Sequence, residues 1–186
     1  SASMPMGIAM TRMSRPPMSE PILPAATVIL TRGGPAGPEV LMGQRGAGAV
    51  FMPSKFVFPG GRVDKTDNRV PVAAPISSEL EANLLKGSPK IVSSRARALA
   101  VAAIREACEE TGLCLGRKVD KPVKLDGAWK PFAEAGLLPD PSGLFLIARA
   151  ITPPGRVRRF DTRFFTADAS SIAHRVEGVI HADAEL

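Results

Sequence analysis

One long helix can be read from residues 93–111, an alanine-rich stretch that runs into Arg105-Glu106-Ala107-Cys108-Glu109-Glu110-Thr111-Gly112-Leu113. Ser93 or Ser94 can cap its start, and Gly112 is a natural C-terminal stop. At about 100° per residue, Glu109 lies about 60° to one side of Glu106 and Glu110 about 40° to the other. Three carboxylates therefore share one face. Like charges at i,i+4 disfavour a helix by a few tenths of a kcal/mol per pair, and the C-terminal end of the helix dipole adds to the penalty. A helix that accepts both points to a compensating cation. Hard oxygen ligands suit Mg²⁺ or Mn²⁺, either of which would also hold phosphate groups. Taken alone, the pattern equally describes an acidic, solvated helix face.

Strand-like segments surround this helix. Residues 25–31 read as a buried strand, glycines and prolines between residues 33 and 38 form a loop, and residues 39–45 read as its hairpin partner. A glycine-rich loop follows, then a short strand through Phe56-Val57-Phe58 that stops at Pro59-Gly60-Gly61. Residues 144–148 and 159–165 read as two more strands. Residues 68–94 look like an insertion with a small helix of its own. Ser78 and Glu81 give it a capping box, Leu80, Leu84 and Leu85 an apolar stripe, and Lys86-Gly87 a stop. Strand and helix do not alternate strictly, so the fold class expected is α/β with a mixed sheet rather than a doubly wound dinucleotide fold. No G-x-G-x-x-G or Walker-type loop is present.

The chain has 186 residues, enough for one core and too few for two comfortable domains. We expect a disordered N-terminal tail over 1–21 and one domain over 22–186. No run approaches the roughly 18 uncharged apolar residues of a membrane-spanning helix, so no membrane partner is expected. The formal net charge of +6 favours anionic partners, among which phosphorylated small molecules are expected and nucleic acid is not. Cys108 and Cys114 are too few for a metal cluster and would staple little if joined. Cys108 reads as a small buried hydrophobe and Cys114 as structural, in keeping with a reducing, cytoplasmic setting. His174 and His181 lack partner spacing and read as non-ligands.

The run from Arg105 to Leu113 resembles the R-E-x-x-E-E-x-G-U part of the Nudix box, where U is an apolar residue, and Phe58-Pro59-Gly60-Gly61 resembles the start of that box. Five residues separate Gly61 from Asp67, which stands where the family has Glu. The pattern would then place its Arg at position 75, and Arg105 comes 30 positions later. Eight positions before Arg105 stands Arg97, so that side of the insertion has no candidate for the first box Glu. The box is split by the inserted segment. The segment from Phe51 to Asp64 and the later Arg159-Phe160-Asp161-Thr162-Arg163-Phe164-Phe165 are similar to a subgroup that includes peroxisomal coenzyme A diphosphatases. Of that subgroup's further signature the chain keeps Arg45 and its spacing to Phe58. It departs at Gly46, Val50 and Ser54, and has Ala150-Ile151-Thr152-Pro153 where W-I-T-P is usual.

The resemblance implies a Nudix-type α/β/α sandwich and a metal-dependent hydrolase cleaving a diphosphate in a nucleoside diphosphate linked to another group. It implies Mg²⁺ or Mn²⁺ on Glu106, Glu109, Glu110 and the backbone of Gly61. Catalytic candidates are Glu109, Glu106 and Arg105. Glu109 is the candidate base, Glu177 a weaker one, and Arg105 pairs with a carboxylate to fix the helix against the loop. Candidate substrate contacts are Arg45, Arg62 and Arg159, with Arg163 and Phe160 behind them. The alternative is a non-catalytic Nudix-fold module that binds a nucleotide or RNA. Family members continue with another strand and a covering helix beyond the point reached at Leu186, so a homodimer that completes the sheet is left open.

Overall fold

The computed structural model describes residues 21–45, 56–86, 88, 91–179 and 184–185, with backbone alone at 44, 45, 184 and 185. The expected tail and the glycine-rich loop at 46–55 lie outside the described residues, apart from Pro21. Strand β1 (Ile22–Gly34) organises the sheet. Its β-branched and aliphatic residues alternate, so Ala26, Val28 and Leu30 are buried while Thr27 and Ile29 are only half-covered. It turns tightly into β2 (Gly37–Val40), Gly37 supplying the left-handed φ of 127° that a bulkier residue rarely adopts.

Beyond a separate short strand, β3 (Gly43–Arg45), which pairs with β4 (Phe56–Val57), the chain returns to β1 as β5 (Gly60–Arg62). Ala26 of β1 then stands opposite Gly61.

The apolar face of this sheet is covered by helices. Helix α1 (Ser78–Leu85) buries Leu80 and Leu84, and helix α2 (Ser93–Thr111) buries alanines at 96, 98, 100, 102, 103 and 107. Alanine side chains let the helix backbone come close to the strands. Gly112 ends α2 in the left-handed region, φ 73°, with its N–H donating to Cys108 O at 2.9 Å. The next strands, β6 (Leu113–Lys118) and β7 (Leu137–Pro139), flank a short helix α3 (Lys130–Glu134). Then β8 (Phe145–Ile151) and β9 (Arg159–Asp168) complete the main sheet, in the order β2-β1-β9-β8 with β5 also on β1. The β1–β9 ladder is parallel from Ile22 opposite Arg159 to Thr31 opposite Asp168, and the other pairings are antiparallel, so the sheet is mixed as expected. Strand β10 (Ile172–Arg175) pairs with β6, and β11 (Ala184–Glu185) with β3.

Several expectations need correcting. Helix α1 is capped by Ser77, whose side chain accepts from Leu80 N–H at 3.1 Å, one residue before the Ser78 expected from the capping box. Neither Ser93 nor Ser94 caps α2; both lie inside its first turn, and Val92 is the N-cap without a side-chain bond. Strands β6, β7 and β10 occupy segments where no strand was expected. The inserted 68–94 segment packs into the shared core, because Val70, Leu80 and Leu84 belong to the same core as α2 and β1. The α/β class with a mixed sheet stands as expected. Arg163, Phe165 and Ala167 of β9 face the core, whereas Phe145, opposite Thr166, faces the other way and is 56% exposed. No helix among the described residues is long and apolar enough to cross a membrane.

Candidate functional site

The site forms where the last two turns of α2 meet the β5 strand and the turn after it. Arg105 is its centre. All five guanidinium N–H groups are engaged: Nε donates to Asp67 Oδ1 (2.8 Å), Nη2 to Asp67 Oδ2 (3.1 Å) and Arg62 O (2.9 Å), and Nη1 to Glu106 Oε1 (2.7 Å) and Glu109 Oε2 (2.6 Å). Asp67 is fully buried in a 3₁₀ turn over Thr66–Asn68, and its Oδ2 also accepts from Asp64 N–H at 2.7 Å. The carboxylate that five residues separate from Gly61 in the sequence thus reaches Arg105 across the insertion. That turn is secured by Arg97, two helical turns before Arg105, whose guanidinium donates to the carbonyls of Asp67, Asn68 and Val70.

The acidic face is locked to the glycine pair. Gly60 N–H donates to Glu110 Oε2 at 3.0 Å. The Glu106 carboxyl group lies so close over Gly61 that a Cβ there would stand 2.6 Å from its carboxyl carbon and from both oxygens. No side chain larger than hydrogen fits without moving Glu106. Burial pushes the Glu106 carboxyl above the usual glutamate range; Arg105 opposes this, and the negative charges of Glu110 and Glu109 add to it. Burial works against the charge of Arg105, but Asp67 and Glu106 more than offset it, so its guanidinium is held above its ordinary value. Asp64, at the mouth of the same turn, is held below the usual carboxylate range by hydrogen bonds from Thr66 N–H and Oγ1.

Three carboxylates therefore surround one buried guanidinium, and a fourth, Glu110, is held by Gly60 N–H beside them. As the side chains stand, no three Asp, Glu, His or Cys residues among those described converge closely enough to hold a metal ion. Glu106 and Glu109 are turned toward Arg105 and Glu110 toward Gly60. The donor set nonetheless fits a hard divalent cation in its chemistry: all oxygen ligands, on one rigid helix, with negative charge in excess. Glu109 is the most open of the trio bound to Arg105, its side chain 40% exposed.

The remaining sequence candidates fall in different places. Arg62 adjoins the cluster, its carbonyl held by Arg105 and its side chain exposed. Arg159 does not join the cluster. It starts β9 four residues before Arg163, which shares a row with Ala26 and Gly61, and its Nε donates to Thr152 O at 3.0 Å. Four strand residues and two strand spacings put its backbone about 16 Å from Gly61. Arg163 is a core residue, 2% exposed, bonded to Asp161 and to Ser88 Oγ, and it cannot meet a substrate there. The backbone of Arg45 ends β3, and its side chain lies outside the described residues. Glu177 is exposed in the turn after β10, which docks on the helix end through Val176 N–H to Gly112 O at 2.8 Å. Phe160 is half-buried and His174 exposed, while His181 lies outside the described residues.

Sequence reasoning did not count Asp67, Arg97 or Gly60 as site residues. The five-residue spacing from Gly61 was the available signal for Asp67. For Arg97 there was none, because its partners are backbone carbonyls.

The chain matches no family model and no curated protein sequence. Among solved structures it is similar to a NUDIX hydrolase from Alicyclobacillus acidocaldarius, with a TM-score of 0.64 and 28% identity over 90% of this chain and 78% of that one. It also aligns with a MutT/nudix family protein from Enterococcus faecalis, at TM-score 0.42 and 15% identity over 84% of this chain and 40% of that one. A MutT protein from Methanosarcina mazei Go1 aligns at TM-score 0.42 and 12% identity, over 89% of this chain and 75% of that one. The last two are too distant to bear on function.

Proposed function

We propose, from the premise that this chain is a Nudix hydrolase, that it cleaves the diphosphate linkage of a nucleoside diphosphate joined to a second group. The second group is coenzyme A-like, ADP-ribose-like or another nucleotide, and the cofactor is Mg²⁺ or Mn²⁺. The observation that carries this is the excess of carboxylates on the last turns of α2, pressed against Gly60 and Gly61 around the Arg105 guanidinium.

We assign Glu106, Glu109, Glu110 and the backbone carbonyl of Gly61 as the groups that hold the metal. A divalent ion bound there would lower the pKa of its water and shield phosphate charge. Glu109, the most open of the three carboxylates bound to Arg105, is assigned to take the proton from the attacking water. Arg105 is a positioning residue here and not one that touches substrate, because each of its N–H groups already has a partner within the chain. It orients two carboxylates and ties the helix to the turn at Asp67. Arg62, exposed beside the cluster, is the preferred phosphate contact. Arg45 is a second candidate, and Arg159, away from the cluster, is assigned to a distant part of the substrate. We take residues 22–186 as one catalytic domain with 68–94 inserted in the box, and place it in the cytoplasm on the strength of its two free buried thiols.

The test is a panel of diphosphates incubated with Mg²⁺ or Mn²⁺, with product release measured for the parent chain and for Glu109→Gln. Cleavage of at least one compound, abolished by chelator and by the substitution, supports the proposal. Metal-independent binding with no turnover of any compound would instead establish a binding module.

A further inference from the structure

Behind the acidic face, the side chain of Cys108 in the last turn of α2 meets that of Cys114 in β6. The two sulfurs are 2.6 Å apart, little more than half an ångström beyond the covalent S–S length of about 2.05 Å. They are the only cysteines in the chain, and both are buried, 3% and 0% exposed. We infer that Cys108 and Cys114 form an oxidisable pair that closes to an intramolecular disulfide without rearrangement of the fold.

Local structure fixes the approach from several sides. Gly112 turns the chain in the left-handed region and its N–H bonds back to Cys108 O. A Cβ at Gly112 would stand 2.6 Å from Val176 O, so this turn packs closely against the segment after β10. Thr111 Oγ1 donates to Ala107 O and accepts from Leu113 N–H, which ties the helix end to the start of β6. Cys114 itself lies in the β6–β10 ladder opposite His174. Both sulfurs are therefore carried on backbone already bonded in place, and the closure shifts side-chain torsions only.

The chemistry balances with a peroxide as oxidant. One thiolate attacks the peroxide oxygen, the O–O bond breaks, and a sulfenic acid forms with release of one water. The second thiol then attacks the sulfenic sulfur, the S–O bond breaks, and a second water leaves. Two sulfurs lose one electron each, the two peroxide oxygens gain them, and both thiol hydrogens end in water. The buried site slows the first step and shelters the sulfenic acid from further oxidation until the neighbouring thiol traps it.

The test uses the full chain and does not rely on turnover, so it stands or falls apart from the diphosphatase reading. Folded protein is treated with hydrogen peroxide, then unfolded in N-ethylmaleimide and weighed. The expected product is a monomer lighter by two hydrogens that takes up no maleimide and yields one cross-linked peptide joining residues 108 and 114. Dithiothreitol should restore two maleimide adducts, and Cys114→Ala should take one adduct and never lose mass. The oxidised form should keep the melting temperature of the reduced form or exceed it by about 5 °C. Two adducts after prolonged treatment, oxygen added to sulfur in place of a cross-link, a disulfide between chains, or a melting temperature lowered by more than about 5 °C would each overturn the inference.

Discussion

Replacing Asp67 with alanine removes one side of a fully buried ion pair. Arg105 would lose its Nε contact at 2.8 Å and its Nη2 contact at 3.1 Å, while Asp64 N–H would lose its acceptor at 2.7 Å. Stripping one partner from a buried pair commonly destabilises by about 3–5 kcal/mol. Arg105 keeps Glu106, Glu109 and the Arg62 carbonyl, so the expected loss is at the lower end, about 3 kcal/mol. For a domain of this size each kcal/mol moves the melting temperature by about 2–4 °C, giving a drop of about 6–12 °C. Thermal unfolding by circular dichroism in chelator isolates this from any metal contribution. Glu134→Ala is the control, since its pair with Lys130 is 65–69% exposed and such pairs contribute little. Asp67→Glu should not be neutral either: an added methylene in a site with no exposure overpacks it by about 1–3 kcal/mol. An Asp67→Ala melt within 2 °C of the parent, or a stabilised Asp67→Glu, would refute the view that Asp67 and Arg105 clamp the split box.

Gly61→Ala should fold, since Gly61 does not need a left-handed φ, but its methyl would displace the Glu106 carboxyl group. Divalent-metal affinity, measured by calorimetry, should fall about 10–100-fold. Glu110→Gln keeps an oxygen that can accept from Gly60 N–H and relieves repulsion, so the chelated protein should melt within about 2 °C of the parent while losing turnover of the best panel substrate. A clear loss of stability would show that the acidic face is not strained. Leu84→Ala, at a site 1% exposed, should destabilise by about 2–5 kcal/mol in urea unfolding. A negligible change would mean that α1 is peripheral to the core.

Helix α2 and its stop were legible because helical spacing and a C-terminal glycine act locally, and so was the gathering of three acids at the end of the helix. The mixed sheet followed from strand segments that do not alternate strictly with helices. The α1 cap was misread because a serine one position away serves equally well in sequence, and only backbone geometry selects Ser77 over Ser78. Strands β6 and β10 escaped because β6 runs from Leu113 into Arg117 and Lys118, and His174 and Arg175 of β10 carry polar side chains, so the pairing of both depends on distant partners. The arginines of β9 were indistinguishable by pattern. Arg163 is buried because Asp161 and Ser88 happen to lie within reach, and nothing in its own neighbourhood announces Ser88, 75 positions away.

The split box shows why spacing in sequence and geometry in space can part company. Asp67 and Arg105 are 38 positions apart, where the unbroken pattern would separate them by 8. Closing a loop longer by that ratio disfavours folding by only about 1.4 kcal/mol, because the entropy grows with the logarithm of length. Fully burying one leucine contributes about 1.5–3 kcal/mol, and the inserted segment buries both Leu80 and Leu84 in the shared core. The insertion thus offsets its own closure entropy, and Arg97 closes the loop's first turn onto α2 through three carbonyls. What must be retained at the site is the carboxylate, the guanidinium and the glycine pair in contact. The length of chain between them is free to vary as long as the added residues pack.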